Sequence, residues 1–521
     1  MKTKQLFFCS LTGLALLTAS CSSNDEALNG GDGTTSEGKT YAQIAISVAN
    51  SATTRTTTPG NTGDEAYGDD NEYTVNDLTV VLANENDIAM QVITPEMKEA
   101  TNTDVADDKL IRVTKPFQCT PGKYKVYVLA NYKNSQSSLS PIIKGSTDMK
   151  MVFGLSDIAK LYESDNFFMT NTSDPEAGEI KKDGTDKEVD DAGKEITDGK
   201  TNLNLLKVDV ERAVSKVTFD NTDKQPFEIK VGVNIIANVT LEGVSLINLN
   251  KKMYLVKHNE SATNKPIAKG DWPYPHDPNY NETSINKNYC DANFTQTEAS
   301  NFTAPSAAKF YCPENTMDAS AQLNGQTTGV VYKVKYAPVD DYYTELAAEN
   351  GTDSYSQMFE KVLALGDDVR DAAITKTIFT DADKTDGTFY SYNGYVFKSM
   401  AGARLYKAIA TANPGDDAAV VNAAFKSPEI YKDIQTYDKG YCYYTAWIKH
   451  NPTSKIYLEQ DKYGVVRNFW YELKVNNIKK LGYSKPTYKD PTDPDDKAEA
   501  SIQVQVNIKK WRLVKQNVDL E

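Results

Sequence analysis

Ile502, Val504, Val506 and Ile508 alternate with Gln503, Gln505 and Asn507. A period of two puts the apolar side chains on one face, the pattern of a half-buried β-strand rather than a helix. β-prone sequence then continues through Trp511, Leu513, Val514, Val518 and Leu520. Such a segment either fills an edge of its own domain or pairs with something else. We take the second option: residues from about 510 to 521 are expected to pair with a neighbouring copy as a donor strand. Val514, Val518 and Leu520 are the inward candidates. Trp511 and Leu513 lie on the other parity, which requires a bulge or a change of facing near Val514.

The same period recurs along the chain. It marks strands at 41–48, 78–82, 88–93, 123–131, 207–219, 227–236, 239–249, 329–336, 441–450 and 465–475. Gly and Pro punctuate them, as at Pro121-Gly122. With 31 Tyr against 17 Phe and 4 Trp, the aromatic content also favours strands. Helical spacing is confined to short pieces. Ser156–Leu161 is expected as a short helix capped by Ser156, and residues 340–386 and 411–427 have helical character in places. Ser173–Lys200 is polar, charged and Gly-rich, and is expected to be a long surface loop. The fold class is therefore mostly β, built of β-sandwiches with a few short helices. A chain of 521 residues is long enough for two such domains, placed at 56–206 and 207–521.

The first residues read as an export signal. Lys2 and Lys4 precede an apolar run from Leu6 to Leu17, too short to span a bilayer as a helix. Thr18-Ala-Ser-Cys21 resembles a lipoprotein cleavage site, so residues 1–20 are the signal and Cys21 is the lipidation candidate; ordinary cleavage near Ser20 is the other reading. Residues 21–55 hold a polar tether and the strand at Tyr41–Val48. Arg55 is the only arginine before Arg112 and sits in a polar stretch, where a protease could reach it; on the residues alone, an incidental arginine is the simpler reading. Cys119, Cys290, Cys312 and Cys442 come later, without the spacing of a zinc site. They allow one or two disulfides or buried free thiols, and the sequence does not choose.

A net charge of −15 argues against a nucleic-acid partner. His258, His276 and His450 have no metal-like spacing, and nucleophile, phosphate-loop and dinucleotide motifs are absent, so no enzyme activity, metal or cofactor is expected. Asp490, Asp493, Asp495 and Asp496 suit calcium oxygens or, more simply, a solvated acidic loop. Trp272 and the tyrosines suit a sugar platform or cross-strand packing.

Several stretches resemble one family, the Bacteroidetes-type fimbrillins (type V pilins), within their short-fimbria major-subunit group. They are Pro121–Asn131, Asn166–Asn171, Val210–Val217, Leu241–Asn250, Tyr311–Thr316, Tyr443–Asn451 and Val465–Tyr471. The resemblance implies two transthyretin-like, Greek-key sandwiches. It also implies a precursor held in the outer membrane as a lipoprotein through Cys21, and cleavage by an Arg-specific protease between Arg55 and Thr56. Loss of the first strand would then open a groove for the donor strand of the next subunit. The product would be a cell-surface fimbria with anchor and tip partners, supporting adhesion and biofilm formation. The competing reading is a monomeric surface glycan-binding lipoprotein.

Overall fold

The computed structural model describes residues 38–48, 65–99, 110–220, 225–258, 274–283, 290–291, 302–339, 384–413, 416, 418–486, 490–497 and 502–512. Its first sheet has ten strands. They include β1 (Thr40–Val48), β3 (Leu78–Ala83), β4 (Ala89–Ile93), β5 (Leu110–Val113), β6 (Phe117–Cys119) and β7 (Gly122–Ala130), while β2 (Glu65–Tyr67) belongs to another sheet. β8 (Met169–Asn171), β9 (Ala177–Ile180), β10 (Asp186–Lys187) and β11 (Thr201–Arg212) complete the first sheet. The main order is β4-β3-β7-β8-β11-β1-β5, with β6 beside β1, β9 beside β7 and β10 beside β11.

The chain leaves this sheet at Arg212 and, one residue later, enters another as β12 (Val214–Phe219). That sheet has the order β2-β22-β21-β12-β15, where β15 is Lys309–Pro313, β21 Phe469–Ile478 and β22 Ile502–Arg512. A four-stranded sheet has the order β13-β14-β16-β20, from β13 (Phe227–Val231), β14 (Asn234–Ile247), β16 (Gly329–Pro338) and β20 (Tyr441–Trp447). One apolar cluster runs from Ile44 and Leu82 through Val217 and Val239 to Tyr471 and Val475, so these sheets share a core. The mostly-β class expected from the alternation is the class observed.

A smaller lobe interrupts the β16–β20 hairpin. It contains β17 (Phe389–Tyr392), β18 (Tyr395–Phe397), α1 (Met400–Ala410), α2 (Ala418–Lys426) and β19 (Gln435–Tyr437). Its own core holds Phe397, Leu405, Ile409, Val421 and Phe425. Ser399 caps α1, its hydroxyl accepting from the Gly402 amide. The sequence marked the second helix and missed the first, whose apolar residues read equally well as strand. Helical spacing at 340–383 falls outside the described residues.

Three local expectations change. The helix at Ile158–Leu161 is a single 3-10 turn, capped by Asp157 rather than Ser156, since the Asp157 carboxylate accepts from the Ala159 amide. The strand expected over 239–249 ends at Ile247; Asn248, at φ 55°, interrupts it, and Leu249–Asn250 form a separate short strand. Ser173–Lys200 is not a bare surface loop: it carries β9 and β10 and packs on the first sheet. No described helix is long and apolar enough to cross a membrane.

Candidate functional site

β1 occupies an interior position in the first sheet. Ala42 through Val48 pair in parallel with Asn204 through Val210 of β11. On its other side β1 pairs antiparallel with β5, Val48 opposite Leu110, and with β6, Thr40 opposite Cys119. Ala42, Ile44, Ile46 and Val48 point into the core and are fully buried. Full burial of Ile44, Ile46 and Val48 stabilises the occupied sheet by about 5–9 kcal/mol. Without β1, that face and the facing edges of β11 and β5 would lose their cover. The space β1 fills is therefore a slot the width of one strand, with a partner on each side.

The opposite face of β1 is also covered. Ala45 packs with Val113, Val189, Ile111 and Leu205. Gln43 is fully buried. Its amide nitrogen donates to the carbonyls of Thr114 and Val189, both at 3.0 Å, and its amide oxygen accepts from the Val189 N–H at 2.8 Å. Residues 186–200 thus lie over β1. Sequence reasoning missed this because polar composition marks a segment as surface without saying what lies beneath it.

The chain around Glu72 is anchored independently of β1. The Lys216 ammonium sits 2.7 Å from the Glu72 carboxylate, with side chains 1% and 0% exposed. Arg212 donates from Nε to the Glu72 carbonyl and from Nη1 to Asn468, each at 2.8 Å. The Tyr311 hydroxyl donates to the same Glu72 carboxylate, and the Lys216 ammonium lies 3.8 Å from the Trp470 ring centroid. Burial lowers the pKa of Lys216, opposed mainly by Glu72, and pushes that of Arg212 down to about 10. Nearby, Arg467 pairs with Glu314 at 3.4 Å and donates to the carbonyls of Leu255 and Tyr254. The motifs Val210–Val217, Tyr311–Thr316 and Val465–Tyr471, far apart in sequence, therefore meet at the junction between sheets. Glu72 was not legible in the sequence; only the fold supplies its partners.

Several expected site residues lie outside the described residues: Cys21, Arg55, Thr56, Leu513, Val514, Val518 and Leu520, as does Trp272. Trp511 is in β22, where Glu65–Tyr67 of the same chain pair in parallel with Lys510–Arg512. The strand that opens with Ile502 is held along β21 through Lys510. Among the described residues, the strand is paired within its own chain from Ile502 to Arg512.

Cys119, Cys312 and Cys442 are buried free thiols. The acidic stretch is solvated only in part: Asp490 is exposed and Asp493 is partly exposed, whereas the two later carboxylates are engaged within the fold. Asp495 is buried and accepts from Thr327, and Asp496 pairs with Lys462 at 2.7 Å. Among the described residues no three His, Cys, Asp or Glu side chains converge to hold a metal. His258 and His276 form a backbone bridge beside a hollow of about 300 Å³, where Tyr254 stacks on His258 and Tyr280 lies over His276.

Two family models match parts of the chain. Residues 42–211 match the model of the major fimbrial subunit protein (FimA), a span that starts in β1 and ends in β11. Residues 435–517 match the C-terminal model of fimbrillin, major fimbrial subunit protein type IV. No curated protein matches the sequence. Among solved structures, the chain is similar to a candidate cell adhesion protein from Parabacteroides distasonis, at 13% identity and TM-score 0.42, covering 91% of this chain and 100% of that one. A second, from Bacteroides eggerthii, has 13% identity and TM-score 0.36, with 91% and 98% covered. The tip fimbrial protein Mfa3 from Porphyromonas gingivalis, truncated at its C-terminus, has 12% identity and TM-score 0.30, with 91% and 100% covered.

Proposed function

We propose that this chain, matched in two stretches by models of major fimbrial subunit proteins, is a structural subunit of a cell-surface fimbria that polymerises head to tail by strand exchange. The precursor is exported, lipidated at Cys21 and held at the outer membrane. An Arg-specific protease cuts between Arg55 and Thr56. β1 then leaves, and residues 513–521 of a second copy enter the slot, rooted at Trp511 and Leu513, with Val514, Val518 and Leu520 inward. The donor and the slot are different surfaces, so the contact does not close on itself and growth is linear. Anchor and tip proteins end the fibre, which supports adhesion and biofilm formation.

The observation that carries this reading is the position of β1. It lies inside the sheet, yet its only chain connection to the rest of the described fold runs through residues 49–64, where Arg55 stands. Glu72, beyond that connection, is fixed by Lys216, Arg212 and Tyr311. One cut therefore frees the strand without freeing the chain beyond the cut.

Two measurements test this. Arg55→Ala is expected to leave precursor at the membrane and to reduce fibre yield at least tenfold on shearing; normal yield, or fibre protein that does not start at Thr56, refutes the cleavage step. Cys119 gives the second. It faces Thr40 of β1, is 4% exposed, and burial pushes its thiol up to about 11. Thiol labelling at Cys119 is expected to be slow in the precursor and faster by on the order of a hundredfold in the cleaved monomer. It should slow again in the fibre. Equal rates in precursor and cleaved monomer, with a Cys119→Ser control, would show that β1 stays.

A further inference from the structure

The cover over the outer face of β1 is a folded element in its own right. Residues 186–200 turn back on themselves, with Val189 bridging Glu195 and the Ile196 amide donating to Glu188. This hairpin has attachments that do not involve β1. Glu188 pairs with Lys98 at 2.7 Å and accepts from the Lys200 amide, and β10 pairs with β11. Two polar contacts tie it to the slot: at the margin the Lys200 ammonium lies 3.2 Å from the Tyr41 ring centroid, and in the buried part the Gln43 side chain satisfies both backbone groups of Val189 and the Thr114 carbonyl.

The Gln43 tie has a narrow chemical specification. The site needs one acceptor for an N–H and two donors for two carbonyls, all without net charge in a buried place. A carboxamide meets it; a carboxylate lacks the donors, an ammonium lacks the acceptor, and a hydroxyl has one donor. An apolar side chain there leaves three backbone groups without that partner. Whatever strand fills the slot meets the same requirement.

We propose that residues 186–200 are a lid that latches on a carboxamide of the occupying strand: Gln43 in the precursor and Asn517 of a second copy in the fibre. The proposal rests on the strand-exchange reading above. If Val514, Val518 and Leu520 face the core, then Lys515, Asn517 and Asp519 face the lid, and of these three Asn517 alone has a carboxamide. Asn517 is one methylene shorter than Gln43, so the lid settles closer to the donor than to β1. In the cleaved monomer the lid stays attached through Glu188 and β10 but is unlatched at Val189. The latch makes strand choice depend on polar register as well as on apolar fit.

Backbone hydrogen exchange at Val189 tests this on the intact precursor, the cleaved monomer and the fibre. In the precursor, Gln43→Leu is expected to speed exchange at Val189 on the order of tenfold or more, with Leu78–Ala83 unchanged as the control for folding. In the fibre, Asn517→Ala is expected to do the same, while Asn517→Gln keeps the protection. Unchanged Val189 protection in the Gln43→Leu precursor overturns the latch, and that result needs no polymer. An Asn517→Ala fibre as protected at Val189 as the unsubstituted fibre also overturns it, and leaves strand exchange standing. Failure of the unsubstituted chain to form a fibre would instead remove the strand-exchange reading.

Discussion

Removal of residues 513–521 is expected to leave a folded, cleavable subunit that forms no fibres. The cut falls after Arg512 because the described sheet uses the chain up to that residue: Lys510 pairs with Phe469, and Arg512 with Tyr67. A truncation at Lys510 would also remove part of the edge shared with Glu65–Tyr67, so a lost fibre could then reflect local damage. Beyond Arg512, Val514, Val518 and Leu520 would each contribute about 1.5–3 kcal/mol if fully buried in the slot. Backbone pairing along the slot edges adds about 1 kcal/mol net per bond. Without these terms nothing fills the space that Ile44, Ile46 and Val48 leave. Electron microscopy of the sheared fraction and sedimentation of the cleaved protein measure the outcome. Fibres of normal length and yield from the truncated chain would refute the donor segment; fibres restored by adding the missing residues as part of a second, intact copy would support it.

Lys216→Met is expected to destabilise the folded protein by about 3–5 kcal/mol, read as a fall in the urea midpoint. The substitution removes the directly paired cation from a fully buried carboxylate, and Glu72 then keeps the Tyr311 hydroxyl, the Asp69 amide and the less direct attraction of Arg212. Most of the loss comes from the isolated charge rather than from the strength of the pair. The double variant Glu72→Gln with Lys216→Met should therefore be less damaged than Lys216→Met alone, because both charges are gone. A loss below about 1 kcal/mol in the single variant would place this pair with ordinary surface ion pairs. The expected secondary effect is on maturation: with Glu72 loosened, the segment after the cleavage point is held less firmly to the junction.

How far the sequence reaches differs from element to element. The strand at Thr40–Val48 was legible as alternation, and Leu78–Ala83 with Ala89–Ile93 was legible as a pair across a polar turn. The motifs that meet at the junction were legible as a resemblance, yet nothing in them announced that Glu211, Arg212, Lys216, Glu314 and Arg467 are buried. Charged residues in a strand are ordinarily read as its solvent face. Residues 173–200 failed for a related reason: most of their polar side chains do face water, yet Val189, Glu188 and β10 among them pack against Gln43, Lys98 and β11.

Period and composition are local properties, and local physics settles them: which stretches are strands, which face of each is apolar, and that residues past Arg512 continue to favour a strand. Neighbours are not local. That β1 lies beside Asn204–Val210, that Glu72 meets Lys216, and that Val189 closes over Gln43 emerge only when distant strands share one core. A side chain's alternation says that it will be covered; the pairing energy of the whole sheet decides by what.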